Sequence, residues 1–481
     1  MSARRVAVGA AAGIAGGAAL IAAVSLVARV VGLGRQLVYQ GTVGETALGT
    51  VYTSANYVPA ILFEVVAGGA LAGVVVPLVV AAVDRGDRDS VRATTGALVG
   101  WAVLVLVPVA ALAAVLAGPI TAALGVGGGA AEDAAARMLR VFLIQVPLYG
   151  LAAVTAGVLQ AHRRFLAPAL APIMSAVVVA GTYLIFARGF DGDPRDLGTV
   201  GRSDELVLSV GTMLGALALA LTTLVPLYVI GVRAVPRLRF PQGQARRAAR
   251  LAAAGIAMVA AQQVAMLLLI PLVNAAGEGR IVTFQNSWMV YLLPFAVLAV
   301  PIATSAFPAL AGHASRGERT EWARTTLAST RAVVLAAGLG TAALVAAAWP
   351  IARVFGALGG QGAVPEAEMA RALVAFAPGL LGFCLVYHLN RALLATGRVR
   401  RVAAATTVGW AVVVLIAFVS ADAVPRGWVV AAVGLAHTLG MAVAAVLLLV
   451  ALRPGTLGAG WRRLARAGAV SAAGAAIGGA A

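Results

Sequence analysis

The sequence predicts an all-α polytopic membrane protein of two six-helix lobes related by a parallel pseudo-two-fold, followed by a partial thirteenth helix. Three observations predict it. The 481 residues are 61% hydrophobic and only 11% charged, with a mean hydropathy of +0.96, whereas a soluble domain is about a quarter charged. Apolar stretches near the ~20 residues needed to cross a hydrocarbon core recur from end to end. Two separate segments also repeat at one ungapped offset of 231 residues. Pro77 followed by Arg85-Gly86-Asp87-Arg88 matches Pro308 followed by Arg316-Gly317-Glu318-Arg319, and Met138, Arg140 and Pro147 match Met369, Arg371 and Pro378. The offset covers six helices, an even number, so both halves keep the same orientation. Parallel repeats of this kind turn about an axis along the membrane normal and hold their substrate site between the halves, which predicts a two-lobed transporter.

Charged loops bound the spans, in order, near 10–38, 51–83, 93–117, 134–160, 165–187, 205–231, 248–274, 281–311, 325–349, 367–395, 402–420 and 427–452. The first six make an N-lobe over 1–231, a cytoplasmic linker follows at 232–247, and the next six make a C-lobe over 248–452. Residues 453–481 read as a basic amphipathic segment and a partial helix. Arg4 and Arg5 before an apolar run resemble a secretory signal. The run outlasts a signal core and continues without a break into Arg29, Gly32 and Arg35, so this helix is expected to stay on the protein. Prolines punctuate the spans, among them Pro59, Pro77, Pro147, Pro294, Pro308 and Pro378. Each frees a backbone carbonyl, which is tolerable at membrane depth only where protein or a water-lined cavity satisfies it.

All 36 basic residues are arginine. With no lysine, a P-loop nucleotide site and Schiff-base chemistry are excluded. The single cysteine, Cys384, excludes an internal disulfide and a multi-cysteine metal site. With the N-terminus in the cytoplasm, 25 of the arginines fall in inner segments and six in outer loops, while 12 of the 18 acids fall outside. The net charge of +18 is therefore a topology signal, with some attraction to anionic lipid, and nucleic acid is not an expected partner.

Ionisable residues within spans cost about 2.5–3.5 kcal/mol on insertion scales and normally face a cavity or a partner. Arg29 and Arg35 in the first span stand as an anionic-ligand clamp or as snorkelling interface anchors. Their six-residue spacing puts them on different faces of an ideal helix unless Gly32 and Gly34 bend it. Glu64, the one acid well inside a span, is a candidate ion-pair partner, proton sensor or cation ligand. Asn56, Gln263, Asn274 and Asn286 complete the candidate substrate-binding set, although amides in spans commonly join helices to one another. No HExxH, GxSxG or catalytic carboxylate pair is present, so no enzyme is expected.

Several stretches together resemble the MurJ/MviN lipid II flippases of the MOP exporter superfamily. They are Ala28-Arg29-Val30-Val31-Gly32-Leu33-Gly34-Arg35; Gly69-Ala70-Leu71 with Val76-Pro77; Gly157-Val158-Leu159-Gln160-Ala161-His162-Arg163-Arg164-Phe165 continuing to Pro168 and Pro172; Leu293-Pro294 with Phe307-Pro308-Ala309-Leu310; and Asn390-Arg391-Ala392-Leu393-Leu394-Ala395. The likeness covers residues 20–400. The chain departs from the family at charged positions: Gln36 and Thr50 stand where acids are usual, Phe63, Glu64 and Gly68 where an arginine pair and a glutamate precede the glycine-alanine step, Trp288 and Met289 where an aspartate-arginine pair opens span eight, and Ser175 where an asparagine is usual. Lysine-free, Ala-, Gly-, Val- and Arg-rich composition adds the mark of GC-rich coding, as in actinobacteria.

The resemblance implies a plasma-membrane flippase that moves an undecaprenyl-pyrophosphate-linked peptidoglycan precursor, lipid II, to the outer leaflet for cell-wall synthesis, with Arg29 and Arg35 on the pyrophosphate. The expected partners are this lipid-linked oligosaccharide, membrane lipids and cell-wall synthesis proteins. No cofactor is expected beyond a coupling cation, sodium or a proton. Two other readings are a non-transporting scaffold for cell-wall enzymes and an exporter of another prenyl-linked glycan or a small molecule by cation antiport.

Overall fold

A computed structural model describes residues 23–24, 26–71, 74–241, 243–359 and 364–452. The start of the first span and the partial thirteenth helix lie outside the described residues. All regular structure described is helical, and it forms two compact units. The first unit comprises Met1–Val43, Val51–Ala123 and Gly127–Ala260; the second comprises Gly44–Thr50, Leu124–Val126 and Ala261–Ala481.

The first unit contains α1 (26–42), most of α2 (Ala47–Phe63), a π-helix (Glu64–Leu71), α3 (Val75–Asp84), α4 (Arg88–Val115), α5 (Ala117–Ala123), α6 (Ala130–Phe142), α7 (Gln145–Ala161), α8 (Leu166–Gly189) and α9 (Arg202–Val229), with the first half of α10 (Gln244–Ala275). The second contains the rest of α10, α11 (Arg280–Pro294), a π-helix (Phe295–Ala299), α12 (Val300–Ser315), α13 (Arg319–Gly359), α14 (Glu366–Phe376), α15 (Gly379–Ala395), α16 (Val399–Ala421) and α17 (Val429–Ala451).

The offset of 231 recurs element by element. The π-helices begin at Glu64 and Phe295, α3 and α12 end at Asp84 and Ser315, and α4 and α13 begin at Arg88 and Arg319. Packing repeats as well: α9 lies on α8 and α7, and α7 on α4 and α3, as α17 lies on α16 and α15, and α15 on α13 and α12. Each unit has its own core, around Val79, Val154, Val158 and Leu159 in the first and Leu310, Leu389, Leu393 and Leu448 in the second.

Proline chemistry accounts for the breaks. Pro294 ends α11 just before the second π-helix, and Pro378 caps α15 where it bends 44° from α14. A proline lacks the N–H that would close the preceding turn, so the ladder widens or breaks there. α4 starts on Asp87, whose Oδ1 accepts from the Ser90 amide at 3.0 Å. Further along α4, Trp101, Leu104, Val105, Leu112 and Val115 are exposed. Such a contiguous apolar face suits hydrocarbon and would be a liability in water.

Among the described residues, eight helical stretches are long and apolar enough to cross a membrane, or ten if each bent pair is one span. Of the twelve expected, the first begins outside the described residues. The second is divided into α2, a π-helix and the short α3, so no single helix carries its full length.

Candidate functional site

In the first unit α1 runs as a helix through Gly32 and Gly34, and neither glycine unwinds it. Arg29 is exposed and Arg35 half-buried, the difference that six residues, about 600° of helical rotation, dictates. Arg35 and Tyr39, four apart, share one face of α1. Behind them lies a buried cluster of hydroxyls. The Tyr39 hydroxyl and Thr53 Oγ1 are 2.8 Å apart, and the Tyr52 hydroxyl lies 2.8 Å from that of Tyr183 and 2.7 Å from Thr212 Oγ1. The Tyr39 ring sits 5.5 Å from Tyr52 and 5.2 Å from Tyr183, and Phe142 meets Tyr52 edge-on at 5.4 Å. A phenol buried among apolar rings needs such partners, because an unpaired hydroxyl would lose its hydration without compensation.

Tyr149 adds a second layer. Its hydroxyl donates to Gln145 Oε1 at 2.7 Å and its ring packs on Phe63 at 4.6 Å. Gln145 opens α7 just past the break with α6, and its buried Nε2 has no acceptor among the described residues. Asn56, one turn beyond Tyr52, is half-buried. Glu64 opens the first π-helix and is exposed. Among the described residues, Arg29, Arg35 and Glu64 take part in no ion pair, so the pairing considered for Glu64 is not formed.

In the second unit the amides lie in the interior. Gln263 on α10 and Asn286 on α11 are buried, and Asn274 Nδ2 donates to the Leu124 carbonyl at 2.7 Å. The Trp288 ring lies 5.4 Å from Tyr291, 6.0 Å from Phe376, 6.5 Å from Trp410 and 5.1 Å from His437, and His437 Nε2 is 3.0 Å from the Tyr291 hydroxyl. Rings thus fill the position where the family resemblance led one to look for an aspartate-arginine pair.

Sequence reasoning missed two bidentate pairs. Arg137 holds Glu205 with Nε and Nη2 at 2.8 and 2.6 Å, and Arg280 holds Glu368 at 3.0 and 2.9 Å. It also missed the tyrosines, although three of the chain's eight, Tyr39, Tyr52 and Tyr183, pack on one another. Outside the spans, Arg316 and then His313 hydrogen-bond Glu318 and hold its carboxyl down to about 2. Among the described residues, no three His, Cys, Asp or Glu side chains are grouped to hold a metal ion.

Comparison with known proteins extends this picture. The family model described as "Lipid II flippase MurJ" matches residues 40–480. The lipid II flippase MurJ of Burkholderia cenocepacia is 24% identical over 374 residues, covering 75% of this chain and 69% of that protein. Among solved structures, a lipid II flippase MurJ in an inward closed conformation superposes with a TM-score of 0.76 at 16% identity, over 95% of this chain and 92% of the other. An inward-facing multidrug resistance MATE family transporter of the MOP superfamily gives 0.71 at 12% identity, over 91% and 95%. The structural likenesses establish the fold, and the match over most of the sequence establishes the family: the chain belongs to the lipid II flippase MurJ family, a family of membrane transporters.

Proposed function

We propose that this chain moves lipid II, an undecaprenyl-pyrophosphate-linked peptidoglycan precursor, from the inner to the outer leaflet of the cytoplasmic membrane, with its N-terminus in the cytoplasm. The observation that carries the reading is Arg35: a half-buried arginine on α1, in no ion pair among the described residues, on the helix face that carries Tyr39 of the tyrosine cluster. An uncompensated charge at such a place costs several kcal/mol, which an anionic ligand offsets. A pyrophosphate matches the planar fork of arginine, which donates two parallel hydrogen bonds. Arg29 adds a second positive charge on the same helix, and Gln145 Nε2 is a donor still available in the layer next to the tyrosines. Glu64 and Asn56 line the same unit as candidate contacts. With no lysine for a P-loop, the cycle draws on the membrane potential or on a sodium or proton gradient. The excess of arginine in alternate loops supports the orientation.

The aromatic cluster around Trp288 favours one second reading, a scaffold that has given up transport and recruits cell-wall enzymes. Cells depleted of their own flippase separate the two. Arg35→Ala should be nearly inactive and Arg35→Lys impaired, both at normal membrane levels. Near-normal growth supported by Arg35→Ala would refute the role of Arg35. A wild type that rescues nothing while cell-wall enzymes co-purify would establish the scaffold.

A further inference from the structure

We propose that a groove in the first unit, walled by Val24 ahead of α1, the end of α7, the start of α8 and the end of α9, binds a membrane phospholipid with an anionic headgroup, its phosphate held by Arg163 and Arg164. The groove has a volume of about 560 Å³, and its walls are apolar, with Leu159, Phe165, Leu166, Leu170 and Pro226 among them. Arg163 and Arg164 line the same groove, both are exposed, and neither guanidinium has a carboxylate partner among the described residues. An apolar trough with two adjacent free cations matches a lipid whose chains are hydrocarbon and whose head is a phosphate.

The backbone supplies an independent argument. Among the described residues, five helices stop on the same two-bond turn, in which one residue takes a left-handed conformation. At Gly86, Gly231, Gly317 and Gly397 that residue is glycine, with φ of 69°, 81°, 72° and 74°. The fifth turn closes α7: the Arg163 amide donates to Gln160 O and the Arg164 amide to Leu159 O, both at 2.9 Å. Here the left-handed residue is Arg163, with φ of 60°, alone among the described non-glycine residues. The turn needs no side chain, and a Cβ at this φ is strained. The arginine is therefore explained by its guanidinium and not by the turn. Such strain gathers at ligand sites, where the surroundings hold it in place. Adjacent arginines can each give a fork of N–H donors to one phosphate, which offsets their mutual repulsion. On the proposed orientation the site faces the inner leaflet, and it is distinct from the tyrosine cluster around Arg35.

The test uses the purified full chain, delipidated in detergent and titrated with dioctanoyl phosphatidylglycerol or dioctanoyl phosphatidylcholine, with bound lipid read by native mass spectrometry. One phosphatidylglycerol should bind about tenfold or more tighter than phosphatidylcholine, because both phosphates can accept from the arginines while the choline ammonium cancels the charge of its headgroup and is repelled by two adjacent guanidinium groups. Arg163→Gly combined with Arg164→Gln should abolish that preference without lowering the melting temperature, because glycine suits the turn. Leu170→Trp, which fills the groove and leaves both charges, should weaken binding of both lipids. Equal binding of the two lipids by the wild type, or unchanged phosphatidylglycerol binding in either variant, would overturn the proposal. So would displacement of phosphatidylglycerol by undecaprenyl pyrophosphate through the same two arginines, which would make the groove a substrate site.

Discussion

Replacing Gly255 by alanine places a methyl group against the carbonyl of Gly69, a backbone atom of the π-helix Glu64–Leu71. The approach is tight, though less so, from the other side, where a Cβ on Gly69 would lie 2.9 Å from Val259 Cγ2, 3.1 Å from Gly255 O and 3.2 Å from Ile256 Cα. Most of these neighbours are backbone, so no side-chain rotation relieves the contact, and α10 must part from the π-helix. Overpacking of this kind costs about 1–3 kcal/mol. The rigid backbone puts Gly255→Ala in the upper half of that range, and the better helix propensity of alanine returns up to about 1 kcal/mol. The net expectation is a loss of about 2 kcal/mol. Gly181→Ala in α8 is the control, because a Cβ there meets nothing within 4 Å. It should gain about 0.5–1 kcal/mol from reduced backbone freedom. Thermal unfolding in detergent, followed by tryptophan fluorescence, should therefore separate the two variants by about 5–10 °C, at roughly 2–4 °C per kcal/mol. Transport should fall in Gly255→Ala alone, because the displaced π-helix continues directly from α2, which carries Tyr52. If Gly255→Ala melts with or above Gly181→Ala, the close glycine contact does not exist and the reasoning fails.

Two further outcomes are expected. Glu205 is nearly buried against Arg137, with side-chain exposures of 8% and 38%. Arg137→Ala should therefore destabilise by about 2–3 kcal/mol, less than a fully buried pair because the arginine is partly solvated. In a double-mutant cycle with Glu205→Gln the coupling should reach at least ~1 kcal/mol, and coupling near zero would contradict the pair's importance. For orientation, after replacement of Cys384, single cysteines at Asp87 and Arg319 should resist membrane-impermeant thiol reagents in intact cells while one at Asp193 reacts; the reverse pattern would invert the topology.

The all-helical membrane character, the 231-residue repeat and the family were legible in the sequence because each rests on local signals: apolar length, proline position and short motifs; the count of spans was less so, with eight to ten found among the described residues against twelve expected. The offset seen in Pro77 and Pro308 reappears in the start of both π-helices, at Glu64 and Phe295. The π-helices themselves were not legible, since periodicity marks a helix without distinguishing its hydrogen-bond register. The tyrosine cluster was missed for a different reason. Tyr39, Tyr52 and Tyr183 sit on three helices, and only tertiary packing makes them neighbours. The same holds for Arg137 and Glu205, 68 residues apart. The hydrogen bond from Asn274 to the backbone carbonyl of Leu124 was equally hidden, because the two residues lie 150 apart in the chain.

The most direct test of the central claim, that Arg29 and Arg35 keep this chain a carrier of a pyrophosphate lipid, is the affinity of purified protein for lipid II. The wild type and the double variant Arg29→Ala/Arg35→Ala should be compared side by side in nanodiscs. The account predicts saturable binding to the wild type and a loss of about tenfold or more in the double variant, from removing charge-assisted hydrogen bonds to phosphate. Equal binding by both proteins, or no binding by either, would contradict it.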